Sequence, residues 1–431
     1  MIQFVNPSKN TWAELSKRPT LPTENLDANV RAIFTDVQNR GDAAVLEYTE
    51  KFDQAKLTTL AVSQAEIDAS EFEIDTELRT AIEVAKNAIY KFHESQREVP
   101  EIVETTTGVR CWRESRPIQR VGIYIPGGTA PLFSTVLMLG IPAKLAGCAE
   151  IVLCTPPDAE GKIHPAIRYA ADRVGITKVF AAGGAQAVAA LTSGTESIPA
   201  VMKIFGPGNQ YVTAAKQLAL QFGVAIDMPA GPSEVLIIAD EFANPEFTAA
   251  DLLSQAEHGT DSQVILLSNS SKIIEQSILQ IQKQLQELPR AAVAAEALAN
   301  SKAILFEDLD TCFAFSNVFA PEHLILALEN AAEYRGLIQN AGSVFLGRYS
   351  CESAGDYASG TNHTLPTNGY ARQYSGVSLD SFIKKITFQE IDAQGIKNLG
   401  PTIEILADAE GLQAHKNAVT LRLQKVKNSN S

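Results

Sequence analysis

Most of the short signatures that identify a function are missing from this sequence. Its 431 residues include five cysteines, at 111, 148, 154, 312 and 351, and no C-x-x-C pair. An odd, scattered set of that kind reads as reduced thiols, which argues against a disulfide frame or a thiolate metal site. There is no H-E-x-x-H and no G-x-x-x-x-G-K-[ST], and GPGNQY falls one glycine short of G-x-G-x-x-G. The common zinc-peptidase helix, the P-loop and the standard dinucleotide fingerprint are therefore absent. Positive charge is in deficit, with a formal net charge of −14. A polyanion is repelled by that balance, so nucleic acid and anionic membrane are poor partners. Long apolar runs are missing too: VLMLGIPAKLAGCAEIVLC is broken by Lys144 and Glu150. The opening MIQFVNPSKNTWAEL has no signal-peptide core. A soluble, cytoplasmic protein without low-complexity segments or strict repeats is expected.

With 45% hydrophobic residues the chain can build two or more packed domains. Residues 8–96 read as mostly helical. Leu78, Ile82, Ala85, Ile89 and Phe92 recur at steps of three and four and predict one long helix with a buried stripe. His93 falls beside that stripe as a surface or packing residue. From about 101 to 125 the pattern turns β-rich around Gly108. Then EIVLC, KVFAAGG, VMKIFGPG, EVLIIAD, SQVILLS, KAILF, HLILAL and SVFLG alternate with helical patterns. Such alternation predicts the α/β class, with parallel sheets covered by helices. There are too many strands for one small sheet, so two α/β units are expected. After about 375 short helices and a possible strand, KITFQEI, suggest a small separate domain.

Three strand–glycine–helix junctions follow one another: PGGTAPLFST (126–135), AGGAQAVAAL (182–191) and FGPGNQYVTAAK (205–216). Each exposes backbone N–H groups that could receive phosphate. An ordinary tight turn also explains any one of them, so it is the succession that raises nucleotide binding.

Six histidines are present, and four stand in polar, glycine- or proline-rich settings. NPEFTAADLLSQAEHG predicts a helix starting near Pro245 and stopping at Gly259. Gln255 and His258 then project from one face of its last turn. A histidine there can simply cap carbonyls at the negative end of the helix dipole. His323 follows Glu322 in FAPEHL, which is either an exposed polar pair or an acid–base pair. His363 lies seven residues after Asp356, and His415 five after Glu410. His164, in GKIHPAI, sits where a surface loop enters a helix and is expected to be solvated. A zinc site of His258, His415, Asp356 and one more oxygen donor is compatible with these residue types.

Beyond these features, PGGTAPLFSTVLMLGIPAKLAG, KIFGPGNQYVTAAK, IDMPAGPSEVLIIAD, ADLLSQAEHG, FAPEHL and GDYASGTNHTLPT resemble the histidinol dehydrogenase family, from about residue 10 to 425. The resemblance implies two incomplete Rossmann-like parallel-sheet domains with small N- and C-terminal appended segments, in an intertwined dimer. It places an N-terminal arm at 1–22 and a discontinuous first α/β domain at 23–125 and 238–375. A Rossmann-like NAD domain is inserted at 126–237, and a small C-terminal domain covers 376–431. The implied activity is NAD-dependent oxidation of L-histidinol through L-histidinal to L-histidine, with one Zn2+ per subunit. Gln255, His258, Asp356 and His415 match the zinc ligands, and Glu322 and His323 the catalytic pair. Ser233, Gln255, His258, His323, Asp356, His363, Glu410 and His415 line the substrate pocket in that family, with Glu410 and His415 donated across the homodimer. Tyr124, Gln186 and Asn209 match the dinucleotide contacts. One departure is Cys351 in RYSCESAGD, where proline is more usual.

These residue types suit the chemistry. An alcohol loses hydride only if its hydroxyl proton is taken, and a neutral histidine can take it. Glu322 would deprotonate the water that hydrates the aldehyde. The rivals are a zinc hydrolase, with Glu322 activating a metal-bound water, and a nucleotide-binding regulatory protein that has lost catalysis.

Overall fold

The computed structural model describes residues 1–19, 25–127, 131–229 and 231–428. The expected boundary at 22/23, the residues Gly128, Thr129 and Ala130 of the first glycine junction, and Ala230 of MPAGPSEV lie outside them. The chain forms two compact units. The larger comprises Met1–Gln96 with Ile118–Phe382, and the smaller Arg97–Pro117 with the chain from Ile383 onward.

Two parallel sheets organise the larger unit. The six-stranded sheet runs in the order Ile2–Val5, Lys302–Leu305, Gln263–Ser268, Glu234–Ala239, His323–Ala327 and Ser343–Leu346. The five-stranded sheet runs Lys178–Ala181, Glu150–Thr155, Arg120–Tyr124, Lys203–Phe205 and Ala225–Ile226. Every pairing in both sheets is parallel. All eight β-branched runs read from the sequence are strands.

These runs are continuously apolar because both faces of each sheet are covered. In the six-stranded sheet Val235, Ile237, Val264 and Leu266 enter one core, while Leu236, Ile238, Ile265 and Leu267 enter the other. The five-stranded sheet alternates likewise, with Ile123 and Leu153 on one face and Tyr124 and Cys154 on the other.

Strand pairing divides the chain differently from the expected boundaries. Ile2–Val5, expected in the arm, is the edge strand of the six-stranded sheet, bonded to Lys302–Leu305. Arg120–Tyr124 pairs on both sides within the five-stranded sheet, although the expected boundary puts 120–125 in the other domain. Glu234–Ala239 lies wholly in the six-stranded sheet, including the part expected in the insert. Residues 97–117 fall in the smaller unit because Val109–Pro117 zips antiparallel to Ile383–Ile391 over nine residue pairs.

The long helix expected around 78–92 spans Thr76–Glu94. Its buried stripe is Ile82, Ala85, Ile89 and His93, with Phe92 exposed. The step of four to His93 keeps it in line. The imidazole is satisfied by Gln96 Oε1 at 3.1 Å and the Asn362 amide at 3.4 Å.

In the smaller unit, Val103–Thr106, Val109–Pro117 and Ile383–Ile391 form an antiparallel sheet. KITFQEI is thus a strand. The helices that follow, Ala393–Ala409 and Gln413–Asn428, are 17 and 16 residues long, not short, and pack on one another through Gly400 and Leu423.

Candidate active site

At its N-terminal edge, the six-stranded sheet gathers the polar groups. Helix Leu309–Phe319 ends in Ala320, which takes a left-handed φ of +55°. Pro321 follows, and the chain turns into the strand beginning at His323. Register then sets His323 beside Val235 on one side and Ser343 on the other.

Both catalytic candidates are buried, not loop-exposed. The Glu234 N–H donates to Glu322 Oε2 at 2.9 Å. His323 Nδ1 lies 3.2 Å from the Glu234 carbonyl. A carbonyl only accepts, so Nδ1 carries a proton there and Nε2 is the atom left for chemistry. That Nε2 stands 3.5 Å from Asp356 Oδ1, and neither atom has a hydrogen-bond partner among the described residues.

Asp356 comes from the short helix Glu352–Tyr357 and His258 from the end of helix Pro245–Ala256. That helix stops before His258. Glu257 is its C-cap in right-handed conformation, and the His258 N–H turns back to the Gln255 carbonyl at 3.3 Å. Gly259 is therefore not the stop. One atom each from His258, Glu352 and Asp356 lie within 4.8 Å of one another, a group able to hold a metal ion. Gln255 is buried beside them. With its amide oriented to satisfy both ends, it donates to Glu352 Oε2 at 3.0 Å and accepts from the Glu234 N–H at 3.2 Å.

Electrostatics follow from this crowding. Burial pushes Glu322 up to about 8, countered by the His323 charge. Burial also drives Glu352 up to about 8. His323 is pulled down by burial, but the charges of Glu322, Glu352 and Asp356 outweigh it and raise it to about 10. An ordinary neutral histidine, as read from the sequence, is thus not what the chain alone presents. Burial depresses His258 and His363, which keeps both neutral at physiological pH. His363 Nδ1 donates to the Asp356 carbonyl at 2.9 Å, and its Nε2 meets the Thr135 hydroxyl at 3.0 Å. Ser233 is half-buried directly before Glu234.

Behind the site Arg18 forms a two-pronged pair with Glu234, 2.9 Å for each arm. Its guanidinium also donates to the Phe319 carbonyl at 2.8 Å, so it ties the helix end to the strand edge. Glu352, Glu234 and Arg18 escaped the sequence reading. Glu352 had a signal, standing four residues before Asp356 on the same helix face. Arg18 had none, being 216 residues from its partner. Glu410 and His415 belong to the smaller unit, where both are exposed. Cys351 is the N-cap of helix Glu352–Tyr357 at φ −83° and ψ 155°, a conformation proline also adopts.

The C-terminal edge of the five-stranded sheet holds a cavity of about 1100 Å³. Tyr124, Gln186 and Asn209 all line it. The Gly184 N–H donates to the Tyr124 hydroxyl at 3.1 Å. Gln186 is buried, and its Nε2 has no partner among the described residues. Asn209 Oδ1 caps helix Gln210–Ala219 by accepting from the N–H groups of Tyr211 and Val212, which leaves its amide nitrogen for a ligand. His164 lines the cavity and caps its helix, accepting from the Ala166 N–H at 3.2 Å.

The histidinol dehydrogenase family profile matches residues 16–423. A histidinol dehydrogenase of Bacteroides thetaiotaomicron is 60% identical over 421 residues, 98% of each chain. The chloroplastic histidinol dehydrogenase of Arabidopsis thaliana is 51% identical over 415 residues, covering 96% of this chain and 89% of its own. A crystal structure of histidinol dehydrogenase from Elizabethkingia anophelis superposes with a TM-score of 0.97 at 60% identity, covering 99% of each chain.

Proposed function

The chain belongs to the histidinol dehydrogenase family, oxidoreductases of histidine biosynthesis, and from that premise we propose that it oxidises L-histidinol through L-histidinal to L-histidine with zinc and two NAD+ in turn. One observation carries the reading: the buried His323 Nε2, without a partner among the described residues, faces a metal-type ligand group that includes Asp356. The donor set fits zinc, since it offers imidazole and carboxylate oxygen without thiolate, and the unpaired Asp356 oxygen calls for positive charge. His258, Asp356 and Gln255 would hold the ion, with Glu352 beside them, and His415 would come from a partner subunit.

Zinc, when bound, supplies an electrophilic anchor for the substrate's imidazole and amine. NAD+ supplies the hydride acceptor in each step. His323 takes the alcohol proton on Nε2 while Nδ1–H stays anchored to the Glu234 carbonyl. A dication held by His258, Asp356 and Gln255 would offset the carboxylates that otherwise keep His323 protonated. Glu322 keeps Oε2 on the Glu234 N–H, and its other oxygen can deprotonate the water that hydrates the aldehyde. As that water adds, protonated His323 would return its proton to the aldehyde oxygen, which frees Nε2 to take a hydroxyl proton from the hydrate as the second hydride leaves to NAD+.

Exposed Ile405, Leu406 and Leu421 on the two C-terminal helices, and Leu412 between them, support a covering partner chain, which would bring Glu410 and His415 to its site. A zinc hydrolase needs no dinucleotide, and the cavity lined by Tyr124, Gln186 and Asn209 has no place in that reading. The test is the count of NADH formed per histidinol consumed by the purified protein. Two is expected. One would remove the second oxidation, and none would sink the proposal.

A further inference from the structure

Asp53 is the last residue of helix Asp42–Asp53, followed by Gln54 in the left-handed conformation. A carboxylate at that pole opposes the helix dipole. Asp53 lines the cavity, its Oδ1 packed against Gly183. Its Oδ2 is buried and has no hydrogen-bond partner among the described residues. Burial pushes the carboxyl up to about 6, so it stays largely ionised at neutral pH without a compensating contact. A charge kept where both dipole and desolvation disfavour it needs a donor that the described residues do not provide.

The cavity's geometry says which part of a dinucleotide meets it. His323 and His363 mark the reacting centre, and His363 joins the five-stranded half through Thr135, near the start of helix Phe133–Ala146. Pro131, just before that helix, lines the cavity on this side. Asn29, Tyr48 and Asp53 come from helices Leu26–Arg40 and Asp42–Asp53, which contribute nothing to the His323 cluster. They therefore wall the end that takes the non-reacting adenosine.

We infer that Asp53 accepts the hydroxyls of the adenosine ribose, and that the same carboxylate repels the 2′-phosphate of NADP+. Hydroxyl donors satisfy an unpartnered acceptor, whereas a phosphate dianion meets like charge. This specificity role rests on the NAD+ reading above.

The test compares wild type with Asp53→Asn and Asp53→Ser, using calorimetric titration with NAD+ and with NADP+ and steady-state kinetics with histidinol. Both variants should weaken NAD+ about tenfold, the scale of one lost charge-assisted contact. NADP+ affinity should hold or improve, so the preference for NAD+ falls at least that much. The kcat at saturating NAD+ should stay within about twofold, since no reacting atom is touched. Ligand-free variants should melt no lower than wild type. An unchanged ratio of the two affinities overturns the inference, as does a lower melting temperature with both affinities weakened equally, which marks a structural role. No NADH from the wild type would overturn the parent reading and this one together; NADH with an unchanged ratio overturns this one alone.

Discussion

Two parallel sheets of the larger unit are alike in construction, yet they offer opposite edges to ligands. In the five-stranded sheet the cavity lies beyond the strand C-termini, where helices Gly184–Ser193 and Gln210–Ala219 begin. Helix N-termini carry free N–H groups and positive dipole ends, which suit a pyrophosphate. In the six-stranded sheet the site lies at the strand N-termini, at Glu234 and His323, where helix Pro245–Ala256 ends. A helix C-terminus presents carbonyls and a negative pole, which suits a cation. The strand edge thus selects the sign of the ligand. The side chains then sharpen it: three buried acids and three histidines gather at one edge, while glycine turns and amides dominate the other.

Removing the cation should have the largest effect on this contrast. A chelator should abolish turnover and added zinc restore it, with the cavity of the five-stranded sheet untouched. Desolvation by the surrounding protein depresses His258 although the residue keeps an exposed surface, so it stays a neutral ligand below the usual histidine range. As pH falls the proton competes for the histidine ligands, and zinc should be lost below about pH 6. Elemental analysis alongside activity checks this, and full turnover in metal-free protein would remove the metal site.

Next in size come the catalytic substitutions. His323→Asn should slow both half-reactions by roughly 10²–10⁴-fold, the usual worth of a positioned proton acceptor. Glu322→Gln should slow oxidation of added histidinal more than that of histidinol. Equal, small losses in both variants would make the pair structural.

Each sheet also has a buried ion pair behind its ligand edge, which permits a matched test. Arg18 holds Glu234, and Lys216 holds Asp227 at 2.5 Å while donating to the Gly206 carbonyl at 2.7 Å. Arg18→Met and Lys216→Met each strand a buried carboxylate and should cost about 3–5 kcal/mol by denaturant titration. Their residual activities should differ in kind. Arg18→Met should lower kcat through Glu234 and His323, whereas Lys216→Met should raise the KM for NAD+ through the glycine turn. The same kinetic defect in both would erase the division of labour.

A smaller effect tests the partner-donated residues. Homodimers of His258→Asn or of His415→Asn should be nearly dead. Unfolding and refolding them together at equal amounts should return roughly a quarter of wild-type activity, because half the dimers are mixed and each has one intact site. If mixed dimers form, as tagged chains can show, and activity stays absent, His415 serves its own chain.

The smallest expected change is Cys351→Pro. The φ of −83° already suits proline, so stability should shift by no more than about 1 kcal/mol, with unchanged kinetics. A large loss would show that the Cys351 N–H or thiol is needed at the start of the ligand-bearing helix.

Much of this was determined by local sequence. Period-two and continuous apolar runs such as EVLIIAD and SQVILLS are strands because burial on both faces demands them. The step of three or four behind Ile82, Ala85 and Ile89 sets a helix face. Glycine junctions marked the cavity edge of the five-stranded sheet for the same local reason, a backbone that must turn between strand and helix. What tertiary structure decided depends on distance along the chain. Register alone pairs His323 with Val235 and so brings it within reach of the preceding Glu234 carbonyl, which orients the imidazole. Arg18 reaches its carboxylate across 216 residues, and no local pattern encodes that contact. The protonation of His323 belongs to the fold as well. A histidine's intrinsic affinity for a proton is a property of the residue, but its rise to about 10 comes from its neighbour Glu322 together with Glu352 and Asp356, which the fold brings in on another helix. Coulomb energy depends on separation in space, and only folding sets that separation.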